Sequence, residues 1–158
     1  MNLSLLHVSI SAVTSSFQPD TPLQVNVRVQ NNADHPVTIL TWDSPLDPQA
    51  GLLGLFEMED VATKQPVALA TARFARQLPP SPDSFVEIKS HKDLNSSTTL
   101  PTIGLGLPPK SEYKVEARGS WRAVWDGTKD EISRLTLESM TGGSTGEFHS
   151  NELTVEIK

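Results

Sequence analysis

Apolar and polar residues alternate without a break from Leu23 to Gln30, so that Leu23, Val25, Val27 and Val29 share one side and Gln24, Asn26, Arg28 and Gln30 the other. A period of two residues is the mark of a strand with one face buried and one in water. The same pattern closes the chain at Leu153, Val155 and Ile157, and it recurs at Tyr113, Val115 and Ala117. Near the start, His7, Ser9 and Ser11 interrupt a run containing Leu3, Leu5, Leu6, Val8 and Ile10, which predicts a further strand.

Turn-forming residues punctuate these segments. Pro19-Asp20-Thr21-Pro22 precedes the clearest strand, and Asn31 to Pro36 follows it and leads into Val37-Thr38-Ile39-Leu40. Two successive antiparallel strands are predicted there. Trp42 to Pro48 is too rich in proline for regular structure and reads as a surface loop, ending at Gly51 before the apolar run Leu52 to Met58. Asp60 to Gln65 turns the chain, and Pro66 to Ala70 returns it, giving a hairpin over residues 52–70. Leu78-Pro79-Pro80-Ser81-Pro82-Asp83 fits neither a helix nor a central strand and marks a crossing between parts of the fold. Phe85 to Ile88 is extended again, a short helical turn is expected over Ser90 to Asn95, and Gly104-Leu105-Gly106-Leu107 runs as a loop into Pro108.

Two segments admit competing readings. Residues 129–140 read either as a helix opened by the capping box Thr128-Lys129-Asp130-Glu131 or as a strand carrying Leu135 and Leu137, and the strand is preferred. Trp121 and Trp125, four residues apart, share a face in a strand or in a helix. Short strands separated by Pro, Gly, Asn and Asp, without sustained helical periodicity, predict an all-β fold. The expected architecture is an immunoglobulin-like antiparallel β-sandwich of about seven to eight strands, with one short helix as the alternative, in a single domain over residues 1–158.

Composition supports this picture and narrows function. A chain of 158 residues buries roughly 70% of the surface exposed when unfolded, so its core needs no staple. Its formal net charge of -6, with no cluster of Lys or Arg among aromatics, argues against a nucleic-acid partner. No apolar run reaches membrane length and no basic leader segment stands at the start, so membrane insertion is not expected. A cytoplasmic and a secreted location both stay open. The sequons Asn2-Leu3-Ser4 and Asn95-Ser96-Ser97 matter in the second case alone. With no cysteine, thiol catalysis, disulfides and cysteine-ligated metals are excluded.

Catalytic patterns are missing. His7, His35, His91 and His149 are scattered singly, without the helical His-Glu-x-x-His spacing of a zinc peptidase. His149, close to Glu147 and Glu152, is the one histidine with carboxylates at hand. Asp43, Asp47 and Asp60 form no calcium-loop pattern and read as solvated turn carboxylates. No catalytic residue, cofactor or metal is therefore expected. Trp42, Trp121 and Trp125 are read as filling the core or covering a sheet edge, with Trp42 the most exposed of the three. A stacking platform for sugars is the competing possibility.

Several stretches together resemble the N-terminal propeptide of fungal deuterolysin-type (aspzincin) zinc endopeptidases. They are the strand Val27 to Asn32 ending in Asn-Asn, Val37-Thr38-Ile39-Leu40, and the loop Trp42-Asp43-Ser44-Pro45-Leu46-Asp47. Leu55-Phe56-Glu57, Tyr113 to Val115 and Phe148 to Val155 complete the set. The resemblance implies a β-sandwich that assists and restrains a peptidase, without peptidase activity of its own. The chain has no His-Glu-x-x-His, and Glu131 stands where the family's Gly-Thr-x-x-Asp pattern, begun by Gly127-Thr128, would need Asp. The expected function is a non-enzymatic, propeptide-like interaction module whose partner is a protein, a peptidase being the candidate. Trp42, Asp43, Leu46 and Asp47 are its expected contact residues, and carbohydrate binding is the alternative.

Overall fold

The computed structural model describes residues 1–158 and shows two packed sheets. The first contains β1 (Leu6–Ala12), β3 (Leu23–Asn31) and β7 (Asp93–Leu100), in the order β1-β3-β7. The second contains β2 (Ser16–Phe17), β4 (Val37–Leu40), β5 (Phe56–Asp60), β6 (Phe85–Ile88), β8 (Glu112–Asp126), β9 (Ser144–His149) and β10 (Leu153–Ile157). The fold is thus the all-β, immunoglobulin-like sandwich that the alternation predicted. It has ten strands rather than seven or eight because β2 is only two residues long and because β9 and β10 form one run broken at Ser150.

The period-two segments behave as their patterns require. Leu23, Val25, Val27 and Val29 are buried, and the polar residues between them face out. They meet Tyr113, Val115 and Ala117 of β8 and Val155 and Ile157 of β10 across the sandwich in one apolar cluster.

β8 is the axis of the larger sheet. Its first half pairs with β5 on one side and β10 on the other, and its second half with β4 and β9. The register with β9 shifts between Trp121 and Val124, the sign of a bulge. That shift overturns the expectation that Trp121 and Trp125 share a face. Trp121 lies in the main core against Phe148, whereas Trp125 joins a second cluster with Leu40, Trp42, Phe85, Ala123 and Leu137. An extra residue in the strand reverses the parity that spacing alone would give.

Four other expectations change. Val37–Leu40 does not pair with β3 but crosses to the other sheet, where it lies between β6 and β8. Residues 129–140 contain no strand; the helix α1 (Arg134–Ser139) forms instead, with the Ser133 hydroxyl capping the Thr136 N–H at 3.1 Å. The Thr128–Glu131 box closes a single turn ahead of it, and α1 buries Leu137 while Leu135 stays exposed. Residues 90–95 make no helical turn, because β7 already starts at Asp93. The return strand over residues 66–70 shrinks to a bridge between Glu59 and Pro66, and the segment beyond runs extended over the surface.

Two of the sheet crossings, β3 to β4 and β6 to β7, meet at Asn31, whose side chain is fully buried. Its Nδ2 donates to the carbonyls of His35 at 2.9 Å and Ile88 at 3.0 Å, and its Oδ1 accepts from the Ala33 N–H at 2.9 Å. Replacement by alanine strands buried main-chain groups, each costing about 1–3 kcal/mol. Asn31→Ala is expected to lower unfolding free energy by about 3 kcal/mol in urea denaturation; a loss indistinguishable from zero would refute this role.

Candidate functional site

Because side chains alternate along β8, Lys114, Glu116 and Arg118 face outward while their neighbours fill the core. Pairing brings Glu57 opposite Glu116, Glu59 opposite Lys114, and His149 opposite Arg118. The outcome is a charged face. His149 Nε2 lies 2.7 Å from the Glu116 carboxylate, and the Arg118 guanidinium donates to the same oxygen at 3.3 Å. The hydrogen bond from His149 is the main cause holding the Glu116 carboxyl below its ordinary value of 4.5; partial burial opposes it, and Arg118 assists. The sequence placed His149 near Glu147 and Glu152, but strand pairing supplies Glu116 from 33 residues away.

Beside this face runs a groove of about 620 Å³, walled by β5 on one side and by residues 66–71 on the other. Phe56 and Met58 line it although their side chains are buried, so they contribute main chain to its wall. The hydrogen bonds from the Val67 N–H to the Met58 carbonyl (2.8 Å) and from the Asp60 N–H to the Gln65 carbonyl (3.0 Å) show which residues of β5 point away from β8. By strand alternation the N–H groups of Phe56 and Met58 and the Phe56 carbonyl point the same way, into the groove. Glu57, Glu59, Lys64, Lys114, Glu116 and Arg118 add charge around them.

The loop Trp42 to Asp47 is built differently from its sequence reading. Trp42 is 7% exposed, buried as the preferred reading of the three tryptophans had it though too enclosed for an open contact residue, and the guanidinium groups of Arg76 and Arg122 each stack 5.5 Å from its ring centre. Asp47 is 2% exposed rather than a solvated turn carboxylate. It accepts from Arg76 at 2.6 Å and from the main-chain N–H groups of Asp43 and Gln49 at 2.9 Å each. Asp43, half-buried with φ at 59°, bonds both Arg76 (3.2 Å) and Arg122 (2.9 Å). Leu46 is half-buried against the main core. The four expected contact residues therefore share one loop, and two of them are inside it. Arg76, which no sequence pattern singled out, clasps the extended segment onto this loop.

Other candidate chemistry stays dispersed. Asp60 caps its own turn, accepting from the Ala62 and Thr63 N–H groups at 2.8 and 3.1 Å, and does not join Asp43 and Asp47. No three His, Asp or Glu side chains converge as metal ligands. Trp121 and Trp125 are buried with Trp42, so no indole offers the open face on which stacking of a sugar depends.

The immunoglobulin-like domain family matches residues 6–157. The chain belongs to that family. This immunoglobulin-like domain is also 34% identical over 152 residues to an uncharacterized secreted protein of Arthroderma benhamiae, an alignment covering 95% of the chain and 77% of that relative. Among solved structures it is similar to the E. coli chaperone DraB, with a TM-score of 0.34 and 11% identity, over 96% of the chain and 55% of the chaperone.

Two outcomes follow from the domain's site geometry. Arg73 is exposed in the extended segment that Arg76 holds down, and Ala72 N–H to Leu52 carbonyl (2.8 Å) is a main-chain tie beside it. Limited trypsin digestion of the native chain, followed by mass spectrometry, is expected to cut first after Arg73. Arg76→Ala, which leaves the buried Asp47 carboxylate without its cation, should speed that cut and destabilise the domain by about 2–4 kcal/mol. A first cut elsewhere would contradict the clasp.

Since the folded value of Glu116 lies below its unfolded one, its contribution to stability is fully present above about 4.5 and disappears as pH falls through the depressed value. In His149→Ala the Glu116 carboxyl should titrate closer to its ordinary value, as read by carbon NMR. An unchanged titration would mean that the histidine does not hold it.

Proposed function

We propose that this domain is a non-enzymatic, propeptide-like interaction module that takes an extended segment of a protein partner along the part of the β5 edge that residues 65–67 leave open. The observation that carries the reading is the Phe56 main chain and the Met58 N–H, which face a groove instead of a neighbouring strand, while the Met58 carbonyl is taken by the Val67 N–H. A strand edge with free N–H and C=O groups pairs with any chain that can lie extended beside it, and surrounding side chains then select the sequence. Carboxylates of Glu57 and Glu59 alternate here with the cations of Lys64, Lys114 and Arg118, so the preferred segment carries charges of both signs. The candidate partner is a secreted peptidase, whose own substrate cleft also favours extended chain. A relative that is secreted supports the same destination for this chain. Asp43, a half-exposed member of the expected contact set, bonds Arg76 and acts by holding down the segment that continues the far wall of the groove.

Amide hydrogen exchange tests this directly. Mixed with peptidases purified from the medium of the source organism, the domain is expected to form a complex in which the Phe56 and Met58 amides gain protection. Ala70→Trp, which fills the groove from its far wall, should abolish both complex and protection. Equal binding by the variant, or protection confined to other strands, would sink the proposal.

A further inference from the structure

The open edge of the smaller sheet carries a different kind of feature. We propose that Asn95 is an N-glycosylation site and that its glycan covers the free edge of β7; the inference rests on the secretory destination proposed above. Modification needs a sequon whose asparagine can point a bulky sugar into water. Asn95-Ser96-Ser97 lies within β7, where a period of two turns Asn95 and Ser97 to the same outer face and both are exposed. The amides of Asn31 and Asn151 are committed to main-chain groups, and neither belongs to a sequon.

The surroundings suit a glycan. Register places Arg28 opposite Asn95 and Asn26 opposite Ser97, with Ser9 and Ser11 one strand further on. Arg28 pairs with Asp93 at the end of the same face. This surface is hydroxyls, amides and charge, to which a sugar can hydrogen-bond and from which it displaces no apolar contact.

Edge geometry makes the position meaningful. β7 ends the order β1-β3-β7, so one side of it has no strand neighbour. Towards its C-terminal end that side is covered by the turn Ala50–Leu52, where the Gly51 N–H donates to the Thr98 hydroxyl at 2.8 Å. No such cover reaches residues 93–97, and Asn95 stands in their middle. A glycan there obstructs the approach of a second strand to an otherwise available template.

The full chain should be expressed behind a cleavable leader in a secreting yeast and recovered from the medium. Enzymatic deglycosylation in heavy-oxygen water is expected to convert Asn95 to labelled Asp. Asn95→Gln should lose the mass of one glycan, whatever happens at Asn2. Sedimentation of folded protein before and after deglycosylation should show more self-association once the sugar is gone. An unmodified Asn95 in secreted, folded protein would overturn the site, and unchanged sedimentation would overturn its shielding role. Because the leader is supplied, neither result depends on the native destination. That is tested separately by looking for the chain in the medium of the source organism.

Discussion

A single buried carboxamide holds the two sheets in their relation. Asn31 ends the best strand of the smaller sheet, and from there the chain must leave one sheet for the other, while β6 to β7 makes the opposite crossing alongside. Crossings cannot use strand ladders, so their main-chain groups need another partner. One side chain with two donors and an acceptor meets that need for His35, Ile88 and Ala33 together. A comparable device closes the other side. Asn151, in the break between β9 and β10, accepts from the Ile10 N–H at 2.7 Å and donates to the Ile10 carbonyl at 3.1 Å, pairing like a strand residue with β1. Next to it, the Ser150 hydroxyl takes the Ala117 N–H at 2.8 Å in place of a carbonyl.

Within this frame the long strand β8 joins two environments. Its first half divides cleanly between a core face and a charged face, which sets Glu116 and Arg118 beside the β5 edge. After the bulge the division is lost: Ala123, Val124 and Trp125 are buried in succession, because α1 and Phe85 cover what would have been the solvent side. The Trp125 indole N–H finds the Thr141 carbonyl at 2.9 Å, so the turn that leaves the helix is tied to the strand it covers.

The strands were legible in the sequence wherever one face is buried and the other wet, as in Leu23–Gln30 and Leu153–Ile157, because burial then writes itself as alternation. Partition between sheets was not, since Val37–Leu40 is buried on both faces and carries no direction. α1 escaped because six residues with one buried leucine leave almost no helical period. The Trp42 loop misled for another reason. Proline content announces a loop correctly, but the cations that enclose its indole come from Arg76 and Arg122, 34 and 80 positions along the chain, and no local pattern can announce them. The groove was equally hidden, being made by main-chain groups of Phe56 and Met58, which have no signature in residue type.

Two partly open edges lie in different sheets of one body, β5 in the larger and β7 in the smaller. Were the β5 edge of one copy to pair with the β7 edge of another, each addition would leave one edge of each kind unsatisfied. Such head-to-tail contact does not close on itself, and its natural product is a filament. Obstructing either of these two edges removes that route, so a single shield at one end protects both.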